Sequence, residues 1–357
     1  GAFLRKLAEI DAEAAAQMLD QAVEHPALAA IFPVLQCAVP IDARGVGRLR
    51  RCLAIGTAPI GEFAFIAWGR AHETIPATDL ADLVERIIAK PDGSRVGLAI
   101  VFFRFHSDQQ ANRSHEHEVI AVGRTLLGQI TFGHQDQHRD HRLGLVVVAC
   151  LGGSGGETGA ASLCARLRDA ARARETLIWH HHDLLQALCK VQPIAVLETL
   201  FGVDEPLRTR TVQMIGGIAE KRRNPFDAIP VSEMLEWCER EAVTRYTTMA
   251  SVISYLRGSE EEAASQWSDA ALALLNNAPD PVAVALVFAG RFRPGSWSGS
   301  RADIMEGRTS LLAELERHPN ARLAQFAREE GVRLARDIEF ERRREAAEER
   351  LIDERFE

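Results

Sequence analysis

Tyrosine is almost missing from this chain, with 2 residues in 357, and aromatic residues of all kinds make up 6%, most of them the 15 phenylalanines. Cysteine pairs are missing too. The six cysteines, Cys37, Cys52, Cys150, Cys164, Cys189 and Cys238, are scattered without a C-x-x-C pair and sit mostly among apolar residues. That excludes a disulfide framework and suits buried, reduced thiols in a cytoplasmic protein. No apolar run approaches the ~20 residues of a membrane-spanning helix; the longest are 98–103 and 145–151, so no membrane partner is expected. Nor is there an excess of positive charge: a net charge of −8 and a pI near 5.9 argue against attraction of the whole surface to nucleic acid or anionic lipid. Finally, no stretch alternates with the period of two that a half-buried strand needs.

What is present is helical spacing. With 46% hydrophobic and 26% charged residues the composition is that of a globular protein, and a chain of this length can bury roughly three quarters of its unfolded surface. After Thr78, residues Leu80, Leu83, Val84, Ile87 and Ile88 fall at i, i+3, i+4, i+7 and i+8, and Pro91-Asp92-Gly93 closes the segment. Tyr246, Met249, Ala250, Ile253 and Leu256 form a second stripe, Trp267, Ala270, Ala271, Leu274 and Leu275 a third, and Ile304, Leu311, Leu312 and Leu315 a fourth. Each stripe is one-sided and needs a neighbour to cover it. Turn residues, from His25-Pro26 through Gln192-Pro193 to His318-Pro319, divide the chain into roughly fourteen helices joined by short loops. The fold expected is all-α, an irregular α-solenoid built as a HEAT-like stack of antiparallel helix pairs.

The expected organisation is an N-terminal helical segment over 1–151, a Gly-rich connection at 152–159, a C-terminal helical segment over 160–340 and a solvated, charged helical tail at 341–357. Because the chain opens with Gly1-Ala2 directly on an amphipathic helix, it is read as part of a longer protein.

Candidate chemistry is sparse. His134, His138 and His141 fall at i, i+4 and i+7, which on a helix places three imidazoles on one face, and His115-Glu116-His117 lies nearby in sequence; such a set could hold zinc for a metal-dependent hydrolase. Against this, residues 133–140 contain nothing apolar and read as a solvated loop or helix start. His180-His181-His182-Asp183 reads as the start of another helix, with Asp183 in its first turn. The glycines of 152–159 follow an apolar run that could be a buried strand, yet no Lys precedes a Ser or Thr as a phosphate loop requires, and glycines 153, 155 and 159 miss the G-x-G-x-x-G spacing by one residue. A flexible connection is favoured there. No G-x-S-x-G elbow, H-E-x-x-H or S-x-x-K pattern is expected to carry a nucleophile.

Three basic clusters, Arg44/Arg48/Arg50/Arg51, Arg166/Arg168/Arg172/Arg174 and Lys221/Arg222/Arg223, could bind a phosphate backbone only by lining one face. Nucleic acid is the less favoured partner. Trp297, in a turn of glycines and serines, is a candidate for partner contact, set against the commoner fate of plugging a gap between helices.

His318-Pro319-Asn320-Ala321-Arg322-Leu323, with Phe326 and Ala327 behind it, resembles the start of the second helix in HEAT-like repeats. Together with Arg291-Phe292-Arg293-Pro294-Gly295-Ser296-Trp297-Ser298-Gly299-Ser300 and the charged ending Asp353-Glu354-Arg355-Phe356-Glu357, it resembles the C-terminal helical region of large bacterial multidomain proteins, including STAND-type proteins of anti-phage defence. The resemblance covers at most the last half of the chain and rests on no catalytic motif. It implies a sensor or scaffold role beside an effector domain, and assigns no functional residues. The reading is therefore a non-catalytic binding module with no cofactor, no metal and no catalytic residues, whose partner is a protein or another domain of its parent chain.

Overall fold

The computed structural model describes residues 1–133, 139–216, 224–257 and 265–356, with side chains through Leu351. The chain is all-α: its described residues form nineteen α-helices, several short 3-10 turns and one two-residue antiparallel pair, β1 (Leu256–Arg257) and β2 (Gln266–Trp267), with Leu256 opposite Trp267.

Nineteen helices replace the roughly fourteen expected because several breaks carry no Gly or Pro. Asn112 and Arg174 adopt left-handed backbone (φ 52 and 61) just past two helix ends, a position that glycine usually marks. Asp11 separates the first two helices by capping the second, accepting from Ala14 N–H at 2.9 Å. Between Pro59 and Pro76 the chain holds only 3-10 turns, Ile60–Ile66 and Ala71–Thr74.

Contacts divide the chain into two compact units, Gly1–Val196 and Leu197–Glu357. The first holds α1 (Ala2–Ile10), α2 (Ala12–Ala22), α3 (Phe32–Gln36), α4 (Ala43–Ile55), α5 (Ala77–Ile88), α6 (Gly93–Gln110), α7 (His117–Gln129), α8 (Asp140–Leu151), α9 (Glu157–Arg172) and α10 (His182–Val191). Its main packing partners are close in sequence: α5 lies against α4, α6 and α7, and α8 against α6, α7, α9 and α10. The stripe read on α5 is buried in full, from Leu80 to Ile88. Its end is fixed by Asp92 in left-handed backbone and by Gly93, where a Cβ would stand 1.8 Å from the Ile87 carbonyl oxygen. Residues 145–151, which could be a strand by composition, are helical in α8.

A helix α11 (Pro193–Phe201) runs across the division. The second unit continues with α12 (Glu205–Gly216), α13 (Val231–Glu239), α14 (Ala242–Val252), α15 (Asp269–Asn277), α16 (Pro281–Gly290), α17 (Arg301–Gly307), α18 (Thr309–Leu315) and α19 (Ala321–Phe356). Here α14 packs on α12, α13, α15 and α16, and α19 covers α16, α17 and α18. Trp237, Phe288 and Phe292 are fully buried.

Two expected boundaries shift. Residues 152–159 lie inside the first unit, because α9 after them returns onto α7 and α8. The tail is not wholly solvated at its start. Glu341 is 2% exposed and pairs with Arg301 at 3.2 Å, and Glu345 accepts from Ser300 Oγ (2.8 Å), Arg301 N–H (2.7 Å) and Ala302 N–H (3.2 Å) at the start of α17. Partial burial works against the charged form of Glu345, but the Ser300 hydroxyl and the two N–H groups outweigh it and hold the carboxyl below its ordinary range.

Candidate functional site

Among the described residues the candidate histidines do not gather into one site. His134 and His138 lie outside the described residues. His141 is exposed on α8 with Nδ1 3.3 Å from Asp183 Oδ2. His115 rests on the Phe105 ring, centroids 4.6 Å apart, with Nδ1 3.4 Å from Asp108, while His117 is exposed at the start of α7. Among the described residues no group of three or more His, Cys, Asp or Glu side chains is placed to hold a metal ion.

A polar cluster that sequence reading missed lies where α8 meets α10. Asp140, 7% exposed, accepts from Asp183 N–H at 2.6 Å and Leu184 N–H at 3.1 Å, so a carboxylate from one helix caps the start of another. Beside it, the fully buried His181 faces Thr176 Oγ1 at 2.9 Å and the ring of Phe132 edge-on at 5.0 Å. Burial pushes the Asp140 carboxyl up to about 6; the two N–H donors limit that rise. Sequence pattern could not reveal this pairing, since the partners are 43 and 44 positions apart.

The Gly-rich segment is a tight connection between α8 and α9. Gln192 donates to the Leu151 carbonyl at 2.7 Å and the Gly153 carbonyl at 2.8 Å, and a Cβ on Gly156 would stand 2.0 Å from the Leu151 oxygen. These glycines answer to close approach, with no phosphate-binding geometry required. Residues 152–156 do spell G-x-S-x-G, against the expectation that no such elbow occurs. A nucleophile elbow needs a strand before the turn; here a helix stands on each side of it, and Ser154 is exposed with neither His nor carboxylate in reach among the described residues.

Most arginines of the described basic clusters are engaged internally. Arg44 pairs with Glu13 and Asp20, Arg50 with Asp79 and Asp82, and Arg51 with Glu24. Arg48, 7% exposed, donates to Asp20 at 2.6 Å, to the Ala16 carbonyl at 2.9 Å and to Gln36 Oε1 at 3.3 Å. The Arg48 and Arg44 hydrogen bonds hold the Asp20 carboxyl below its ordinary range against a partial burial penalty. Arg166 caps the end of α7 through the Leu127 and Gly128 carbonyls, and Arg168 lies against Asp169 at 3.0 Å. Lys221, Arg222 and Arg223 lie outside the described residues. Arg48→Ala should therefore cost about 2 kcal/mol of stability by stranding buried acceptors; a urea midpoint equal to that of the unaltered protein would contradict this role.

Trp297 is 41% exposed, and instead of plugging a gap it lies beneath two guanidinium groups, Arg301 at 4.9 Å and Arg344 at 5.9 Å from the ring centroid. More apolar surface is open in the first unit. Trp68 is 54% exposed beside Phe65 (37%), ring centroids 5.2 Å apart. The 3-10 turn carrying Phe65 packs on α3, and Leu28 and Ile31 just before α3 are exposed as well. The cysteines offer no nucleophile here: burial pushes the thiols of Cys37, Cys150, Cys164 and Cys238 up to about 12 and that of Cys52 to about 11.

Comparison with protein-family models, with curated proteins and with solved structures finds no match for this chain in any of the three. Among the described residues no single helix is long and apolar enough to cross a membrane.

Proposed function

We propose that this chain is a non-catalytic helical-repeat module that recognises a protein partner on the first unit, at the exposed apolar surface around Trp68 and Phe65. That surface carries the reading. A half-exposed indole next to an open phenyl ring, on a turn packed against α3, is the residue chemistry concentrated at the centres of protein interfaces. The solenoid arrangement belongs to the same proposal. Its support is the packing within each unit, where helices mostly meet those one or two places along, as stacked helix pairs do. A sensor or scaffold role within a larger cytoplasmic bacterial protein, in phage defence, rests on the resemblance of the C-terminal segments alone.

A photo-crosslinking amino acid placed at Trp68 tests the docking surface in cells that express the protein. The expected result is one discrete protein adduct, lost when Phe65 is changed to Ala and absent when the probe stands at Arg174, which is exposed elsewhere on the unit. Equal labelling from both positions, or none from Trp68, would overturn the proposal.

A further inference from the structure

In the first unit, the other buried or half-buried arginines that are described, Arg48, Arg50, Arg104, Arg139, Arg166 and Arg168, each donate to a carboxylate or a carbonyl. Arg142 breaks this pattern. It is half-buried on α8 with its guanidinium carbon 5.7 Å from the Phe102 centroid and 5.7 Å from the Phe103 centroid, and among the described residues no carboxylate or carbonyl accepts from it. A guanidinium partly desolvated on an aromatic shelf keeps its charge but loses water to its N–H fork, so an anion from outside satisfies it with more gain than at an exposed arginine.

Two imidazoles border the same ring. His106 stacks on Phe102 at 5.8 Å with 7° between the planes, and its Nε2 is 3.0 Å from Gln110 Nε2. The amide is the donor in that contact, which leaves the His106 proton on Nδ1. His141 meets Phe102 edge-on at 6.1 Å and is tied by Nδ1 to Asp183. Asp183, which His141 reaches, is engaged by His182 as well.

We infer that the α6–α8 face at the half-buried Phe103, next to Phe102 which is only 8% exposed, is a binding site for a phosphomonoester with an apolar or aromatic body resting on Phe103, the phosphate held by Arg142 and assisted by His106 and His141. The inference does not depend on protein recognition at the Trp68 surface.

The probes are phenyl phosphate and inorganic phosphate, titrated into the full chain while the imidazole resonances of His106 and His141 are followed by NMR. Phenyl phosphate should give saturable shifts at both, with inorganic phosphate weaker because it makes no use of the rings. Arg142→Ala should weaken phenyl phosphate about tenfold or more, the worth of one charge-assisted hydrogen bond. Arg142→Lys, which keeps the charge and loses the fork, should fall between, and serves if the alanine variant fails to fold. Shifts that never saturate, or an affinity for phenyl phosphate unchanged by both substitutions, would overturn the site; tighter binding of inorganic phosphate than of phenyl phosphate would overturn the role of the rings.

Discussion

Trp237→Ala is expected to lower the unfolding free energy of the second unit by about 4 kcal/mol, the upper part of the range for truncating a large buried aromatic side chain. Trp237 on α13 is fully buried and touches three partners of different kinds. Its indole N–H donates to Glu198 Oε2 at 2.9 Å, its ring lies 4.4 Å under the Arg245 guanidinium, and Phe201 meets it edge-on at 6.3 Å. Arg245, 7% exposed, in turn donates to the Trp237 carbonyl at 3.2 Å and pairs with Glu198 at 3.1 Å. Removing the indole therefore leaves a cavity and a buried guanidinium without its shelf, and both effects have the same sign. Trp237→Phe separates them. It keeps most of the packing and loses the indole donor, so it should cost about 1–2 kcal/mol, the price of one part-buried hydrogen bond made with a charged acceptor. Urea unfolding followed by far-UV circular dichroism provides the measurement. A Trp237→Ala midpoint equal to that of the unaltered protein would show that the cluster contributes nothing to stability.

How much of this was legible in the sequence depends on the range of the signal. Stripes with helical period carried α5 in full and α14 and α15 in part, because one buried face leaves a local pattern: Leu80, Leu83, Val84, Ile87 and Ile88, Tyr246 with Met249 and Ala250, and Ala271 with Leu274 and Leu275 are buried, whereas Leu256 of the second stripe and Trp267 of the third fall outside those helices and pair in β1 and β2. α6 escaped that test. It is buried on nearly every side from Val96 to Val101, so it shows no stripe, and nothing in its pattern marks its end at Asn112, where the backbone turns left-handed. The fourth stripe was read as one helix, yet Arg308 divides it between α17 and α18.

The polar chemistry was the least legible part. Arg48 meets Asp20 from 28 positions away and Arg293 meets Glu330 from 37, and pairs at such separations leave no periodic trace. A run of arginines therefore reads as a basic patch in sequence and turns out to be a set of staples, holding carboxylates and the carbonyl ends of neighbouring helices. The same reasoning explains why the interface candidate moved from Trp297 to Trp68: whether a tryptophan is covered is decided by residues distant in sequence, here Arg301 and Arg344 for the first, with Trp68 left open.

Asp140 gives the second large effect, and it appears as a pH dependence. In the unfolded chain its carboxyl ionises near 3.8, whereas in the fold burial raises that to about 6. Between those values the folded chain holds a proton that the unfolded chain has released. The stability due to this group is thus complete below about 3.8 and is lost as pH rises through about 6. A shift of about two units at ~1.4 kcal/mol each sets the change at roughly 3 kcal/mol. Other ionisable side chains surround the cluster, His141, His181, His182 and Asp183 among them, so the clean quantity is a difference between two proteins. Asp140→Asn keeps an oxygen that can accept from Asp183 or Leu184 N–H and removes the titration. Between pH 4 and pH 7.5 the unaltered protein should lose about 2–3 kcal/mol relative to this variant, measured from urea unfolding at each pH. Parallel stability curves across that range would mean that Asp140 stays ionised in the fold, its charge satisfied by the two N–H groups at the start of α10.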